Sequence, residues 1–68
     1  MRVLVNGADQ LLPDAATVHD AIAATGIEPG RSGIAVAVDG EVVPRARWRQ
    51  TVLGDGQTIE VLQAVQGG

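Results

Sequence analysis

No cysteine occurs in the 68-residue chain, so neither a disulfide nor a thiolate metal site can reinforce its core. The length allows one small domain, and a domain of ~60 residues buries only ~60% of the surface its unfolded chain exposes. Stability must therefore come from apolar side chains. These are mostly Val, Ala, Leu and Ile, within a hydrophobic content of 46%. Trp48 is the one aromatic residue. No apolar run approaches the ~18 residues of a membrane span, and Met1-Arg2 leads into a strand-like segment rather than a signal peptide. A soluble cytoplasmic protein without membrane attachment is the expectation.

The absences also narrow the chemistry. All five basic residues are arginines: Arg2, Arg31, Arg45, Arg47 and Arg49. Without lysine there is no Walker-type phosphate lysine and no side-chain Schiff base. Without cysteine there is no thiol nucleophile and no persulfide site. His19 is the one histidine, too few for a histidine-rich metal centre, and carboxylates alone suit only hard cations. A net charge of −3 argues against nucleic acid as a partner. The chain reads as a substrate or partner of enzymes rather than as an enzyme.

The pattern predicts a two-layer α+β domain. Met1 to Val5 reads as a strand with Met1, Val3 and Val5 on one face. Asn6-Gly7 is a tight-turn signal leading to a second strand, which runs to about Leu11-Leu12 and is stopped by Pro13. A short helix follows. Thr17 is its N-cap and Asp20, three residues on, completes a capping box. Val18, Ala21, Ile22 and Thr25 form its apolar stripe, and Gly26 is the C′ residue. A helix of about eight residues is marginal alone, so it has to lie on a sheet.

Glu28 to Gly33 is a loop; its Gly30-Arg31-Ser32-Gly33 lacks the strand-to-helix context of a phosphate loop and reads as a connector. Ile34 to Val38 reads as a largely buried strand, with the large residues alternating against alanines. Asp39-Gly40 turns the chain into a short strand at Val42-Val43, ended by Pro44, and Arg45 to Leu53 is irregular or briefly helical around Trp48. Asp55-Gly56 turns again into a last strand, Thr58 to Val65, with Ile59, Val61 and Val65 on one face. The expected division is one domain over residues 1–65 and a mobile tail, Gln66-Gly67-Gly68. The expected fold is one mixed sheet of about four to five strands with the helix on one face.

The Gly67-Gly68 end is the most informative motif. A backbone carboxylate has a reference pKa of ~3.3–3.7, is ionised at neutral pH, and needs activation before any acyl chemistry. Glycines can thread a narrow passage into a partner's active site without a Cβ clash. The plainer alternative is a polar end that simply stops.

Val42-Val43-Pro44-Arg45-Ala46-Arg47-Trp48, then Asp55-Gly56, Ile59-Glu60-Val61 and Ala64-Val65-Gln66-Gly67-Gly68, resembles the ThiS family of sulfur carriers. The Thr17-Val18 helix start and the alanine-rich strand before Asp39-Gly40 fit as well, so the resemblance covers nearly the whole chain. Gln57 and Gln66 depart from it, where members often carry an acidic and a small residue. The resemblance implies a ubiquitin-like β-grasp fold and a sulfur cycle in thiamine biosynthesis. An adenylating enzyme of the ThiF type uses Mg-ATP to form an acyl-adenylate on Gly68. A persulfide donor then displaces AMP, leaving a covalent thiocarboxylate, and thiazole synthase of the ThiG type accepts the sulfur. No stably bound cofactor and no metal are implied, and the free carrier is expected to be a monomer.

Gly67 and Gln66 would then thread the tail. Arg45, Arg47 and Arg49 form a basic patch that could meet an acidic strip on a partner, or stay solvated. Trp48 is assigned to packing, and His19 to solvent. Leu62 and Ala64 alternate away from Ile59, Val61 and Val65, which makes them candidates for an exposed docking face. The alternatives are a carrier for molybdopterin synthesis, a ubiquitin-like interaction module whose tail is never activated, and an enzyme built on His19 and Asp20. The Val-Pro-Arg-x-x-Trp stretch and the short length favour the thiamine type.

Overall fold

The computed structural model describes residues 1–64. The expected inward face of Val65 and the expected tail Gln66-Gly67-Gly68 lie outside the described residues.

The first strand, β1 (Arg2–Val5), folds back into β2 (Ala8–Leu11) through Asn6 and Gly7, whose φ values of 51° and 81° are those of a type I′ hairpin turn. The same device recurs between β3 (Ile34–Val38) and β4 (Glu41–Val42), where Asp39 and Gly40 have φ of 49° and 85°. A single 3₁₀ turn, Arg45–Arg47, precedes Trp48, and β5 (Thr58–Gln63) closes the order. The sheet runs β2-β1-β5-β3-β4, with β5 parallel to β1 and antiparallel to β3. The last strand in sequence is thus the middle strand in space.

The helix α1 (Val18–Ala24) starts as its sequence dictates. The Asp20 carboxylate accepts from the Thr17 N–H at 2.8 Å, and the Thr17 hydroxyl accepts from the Asp20 N–H at 3.4 Å. Such a cap is worth ~1 kcal/mol. Gly26, at φ 87°, ends the helix by donating to the Ala23 carbonyl at 3.0 Å. Val18, Ala21 and Ile22 are each 0% exposed, against Val3, Val5, Val36, Ile59 and Val61 from the sheet. Leu12, Ala16, Trp48 and Leu53 complete the core. Thr25, expected in the apolar stripe, is half-buried and serves as the C-cap, its hydroxyl donating to the Ile22 carbonyl at 2.6 Å.

Three expectations need correction. β3 is not largely buried: Val36 alone is, Ile34 and Val38 are half-buried, and Ala35 is exposed. The helix covers one sheet face only, so the alternate residues of every strand face outward. The fourth strand lies at Glu41–Val42 rather than Val42-Val43, because Val43 already turns inward and its carbonyl accepts from the Trp48 indole at 2.9 Å. β5 ends at Gln63, short of the strand expected to Val65.

Ile22 and Ile59 are the largest side chains removed fully from water, in a domain with no covalent staple. Ile22→Ala is expected to lower stability by about 2–5 kcal/mol, a large part of the ~5–15 kcal/mol typical of a domain. Leu11→Ala, at a position 82% exposed, should shift it by no more than ~0.5 kcal/mol. Urea unfolding followed by Trp48 fluorescence checks both.

Candidate functional site

Cross-strand register defines the surface that the helix leaves open. Leu62 stands opposite Ala35, and Glu60 opposite Ala37, which in turn faces Val42 on β4. Residues directly opposite in an antiparallel pair share a face, so Leu62, Ala35, Ala37 and Val42 form one outward apolar row. Leu62 is 67% exposed and Val42 76%. Towards β2 the same face turns polar through Thr58, Arg2 and Asp9, with Leu4 and Leu11 among them. The expected docking residues Leu62 and Ala64 are both exposed, and Leu62 belongs to this row.

The end of β5 is tied on both edges. On the β3 side the Ala64 N–H donates to the Gly33 carbonyl at 2.8 Å. Gly33 has φ 79°, a conformation that L side chains rarely adopt, so it is the backbone angle that calls for glycine at this contact. On the β1 side the Asn6 side chain donates to the Val61 carbonyl at 3.1 Å and accepts from the Val61 N–H at 2.8 Å. At the other end of β5 the Asp39 carboxylate accepts from the Thr58 N–H at 2.9 Å and the Gln57 carboxamide at 3.1 Å. Gln57 also accepts from the Gly54 N–H at 2.7 Å, so this departure from the family pattern serves the turn before β5.

The expected arginine contacts fall elsewhere. Arg45 stacks over the Trp48 ring at 4.5 Å and donates to the Pro29 carbonyl at 2.6 Å and to the Arg31 carbonyl. Its guanidinium thereby pins the Glu28–Gly33 connector to the turn that carries Trp48. Trp48 is 3% exposed, as a packing role requires. This segment abuts the helix layer, the His19 N–H donating to the Trp48 carbonyl at 3.2 Å. Arg47 is exposed, and among the described residues its guanidinium makes no hydrogen bond or ion pair. His19, Arg45, Trp48 and Arg49 line a shallow cleft of about 370 Å³. His19 is half-buried there rather than fully solvated.

Gly68, Gly67 and Gln66 lie outside the described residues. What the structure gives is the base from which they start: Ala64, next to the apolar row and four residues before Gly68. Among the described residues no cluster of His, Asp and Glu could hold a metal ion, and no helix is long and apolar enough to cross a membrane. The sequence reading missed the Asn6 side chain, for which the Asn-Gly turn was the available signal. It also missed the Arg45 stack, signalled by an arginine three residues before the tryptophan.

Comparison with known proteins gives these features a context. A model of the ThiS family matches residues 2–68. The sulfur carrier protein ThiS of Escherichia coli (strain K12) is 34% identical over 70 residues, covering all of both chains. The crystal structure of a thiamine biosynthesis protein (ThiS) from Geobacter metallireducens, 27% identical, superposes with a TM-score of 0.74 over the whole of both chains. The NMR solution structure of a thiamine biosynthesis protein from the same organism gives 0.75 at 27% identity, covering all of this chain and 88% of that one. The five-stranded mixed sheet with one helix on one face is the ubiquitin-like β-grasp fold, and the chain belongs to the ThiS family.

Proposed function

We propose that this protein is a sulfur carrier of thiamine biosynthesis and that the carboxyl of Gly68 carries the sulfur. The family match through residue 68, which takes in the diglycine, is the observation that carries this reading. The chain has no cysteine, and its one methionine sulfur is a thioether, so no side chain is suited to hold transferable sulfur. A terminal carboxyl is suited once it has been activated.

The cycle has three steps, each catalysed by a partner. A ThiF-type adenylating enzyme joins the Gly68 carboxylate to AMP with Mg-ATP, which turns an inert anion into an electrophile. The terminal sulfur of a donor persulfide attacks the acyl carbon and displaces AMP to give an acyl disulfide, and a thiol reductant cleaves its S–S bond to leave the thiocarboxylate and the donor's thiol. A ThiG-type thiazole synthase accepts the sulfur. The protein is a carrier rather than an enzyme, holds no resident cofactor, and works in the cytoplasm as a monomer when free. Gly67 and Gln66 pass through the channel of the adenylating enzyme.

The apolar row of Leu62, Ala35, Ala37 and Val42 is the docking face. It lies where the chain leaves the sheet, so a partner seated on it has the tail at hand. Arg47 contributes charge at the rim, whereas Arg45 is committed to the Trp48 turn. Ala64 joins the docking face as the first step of the tail.

Incubation with the adenylating enzyme, Mg-ATP and a sulfur source should raise the intact mass by the exchange of one oxygen for sulfur. Deleting Gly68 should abolish the gain. An unchanged wild-type mass, with an enzyme proven on another carrier, would leave an interaction module in its place. Leu62→Glu should raise KM for the adenylating enzyme roughly tenfold, as for loss of a central apolar contact, while thermal stability stays nearly constant. Steady-state kinetics beside a melting curve tests it, and an unchanged KM would exclude Leu62 from the docking face.

A further inference from the structure

Asn6 is the one asparagine in the chain, and a glycine follows it. Asparagine is a thermolabile residue, and in an open chain the Asn-Gly pair is where it reacts most readily. The Gly7 nitrogen, with no Cβ beside it to hinder the approach, attacks the Asn6 side-chain carbon and expels ammonia. A five-membered succinimide results. Water then opens the ring at either carbonyl and leaves aspartate or its β-linked isomer. The balance is one carboxamide and one water in, one carboxylic acid and one ammonia out, with no oxidant or metal. Asn6 and Gly7 are both exposed, so water reaches the pair.

The fold opposes that ring closure twice. The Asn6 Nδ2 donates to the Val61 carbonyl at 3.1 Å, and its Oδ1 accepts from the Val61 N–H at 2.8 Å. The succinimide nitrogen carries no hydrogen and the amide nitrogen has left, so closing the ring removes the donor of this rung. The backbone is also in the wrong place. Asn6 and Gly7 have φ of 51° and 81°, a type I′ turn in which ψ of the first residue is roughly +30°. The ring fixes that ψ at a negative value, so Asn6 has to leave the turn before it reacts. Its own N–H, bonded to the Ile59 carbonyl at 2.9 Å, and the Val5↔Ala8 pairing of the hairpin hold it there.

We propose that Asn6-Gly7 is a deamidation site gated by the fold: the Val61 rung keeps the pair unreacted, local opening of that edge releases it, and the product cannot rebuild the rung. An aspartate at position 6 sets a carboxylate oxygen against the Val61 carbonyl, and the β-linked isomer adds a methylene to the main chain inside a two-residue turn. The matching turn at Asp39-Gly40 shows what a carboxylate needs there. Asp39 faces two donors, the Thr58 N–H and the Gln57 carboxamide. Position 6 faces one donor and one acceptor, which a carboxamide matches and a carboxylate does not. Each event adds one negative charge and leaves the Val61 carbonyl without its partner, and the lost ammonia makes the change one-way.

The test needs only the wild-type chain and a linear peptide of residues 3–9. Both are incubated in the same mildly alkaline buffer, with and without urea. Ion-exchange chromatography counts the added charge, and fragment masses place it at residue 6. Without urea the folded chain should deamidate at least roughly tenfold more slowly than the peptide, as a rung of two hydrogen bonds implies. In unfolding urea the two rates should converge. At urea concentrations below the unfolding transition, deamidation should speed up by the same factor as Val61 amide exchange. That factor should exceed the one for the Val18 amide, which is bonded to the Thr51 carbonyl elsewhere in the core. Asn6→Asp, the product made directly, should speed Val61 exchange roughly tenfold relative to Val18. If that variant does not fold, the wild-type rates decide alone. A folded chain that reacts as fast as the peptide would overturn the proposal. So would a deamidation rate that follows Val18 rather than Val61, or wild-type protection of Val61 in a folded Asn6→Asp chain.

Discussion

The pairing of β5 with β1 on one edge and β3 on the other governs the rest of the molecule. It brings the end of the chain into the centre of the sheet, where Ile59 and Val61 lie under the helix and Glu60 and Leu62 face outward. A central strand has both rows of backbone groups satisfied, which an edge strand does not. The last rung on each side is made by special means: the Asn6 carboxamide against Val61, and the glycine at 33 against Ala64. β5 is thereby held on both edges without any covalent staple.

The two faces of the sheet then divide the work. Ile22, Val18 and Ala21 close one face with α1, and the Trp48 turn seals its flank with Arg45 stacked outside it. Nothing in the described chain covers the other face. Small alanines on β3 leave Leu62 and Val42 standing proud, a shape suited to a partner's surface. The β-grasp fold alone would not specify chemistry, since one fold carries many functions. The functional conclusion comes from the family match that runs through the diglycine, and from a chain that has no cysteine to hold transferable sulfur.

Much of this was legible in the sequence because it was encoded locally. The Asn6-Gly7 and Asp39-Gly40 turns, the Thr17 and Asp20 capping box and the Gly26 stop each lie within a few residues, and all stand where their chemistry puts them. What was illegible depended on partners distant in sequence. Alternation in β3 shows which residues share a face but not that one face stays bare, so its burial was overestimated. Arg45 read as a free charge because its acceptors, the carbonyls of Pro29 and Arg31, are brought to it by the fold. The Asn-Gly pair announced the turn at Asn6, but not that its carboxamide reaches a strand 55 residues away.

The most direct measurement is a single-turnover transfer from the charged protein. The chain would be loaded with radioactive sulfur, freed of the adenylating enzyme and ATP, and mixed with thiazole synthase and its other substrates. If Gly68 carries the sulfur for the thiazole, the label moves into the thiazole product and the protein returns to the mass of its carboxylate. Label that stays on the chain, or thiazole that forms without it, would contradict the carrier role at its centre.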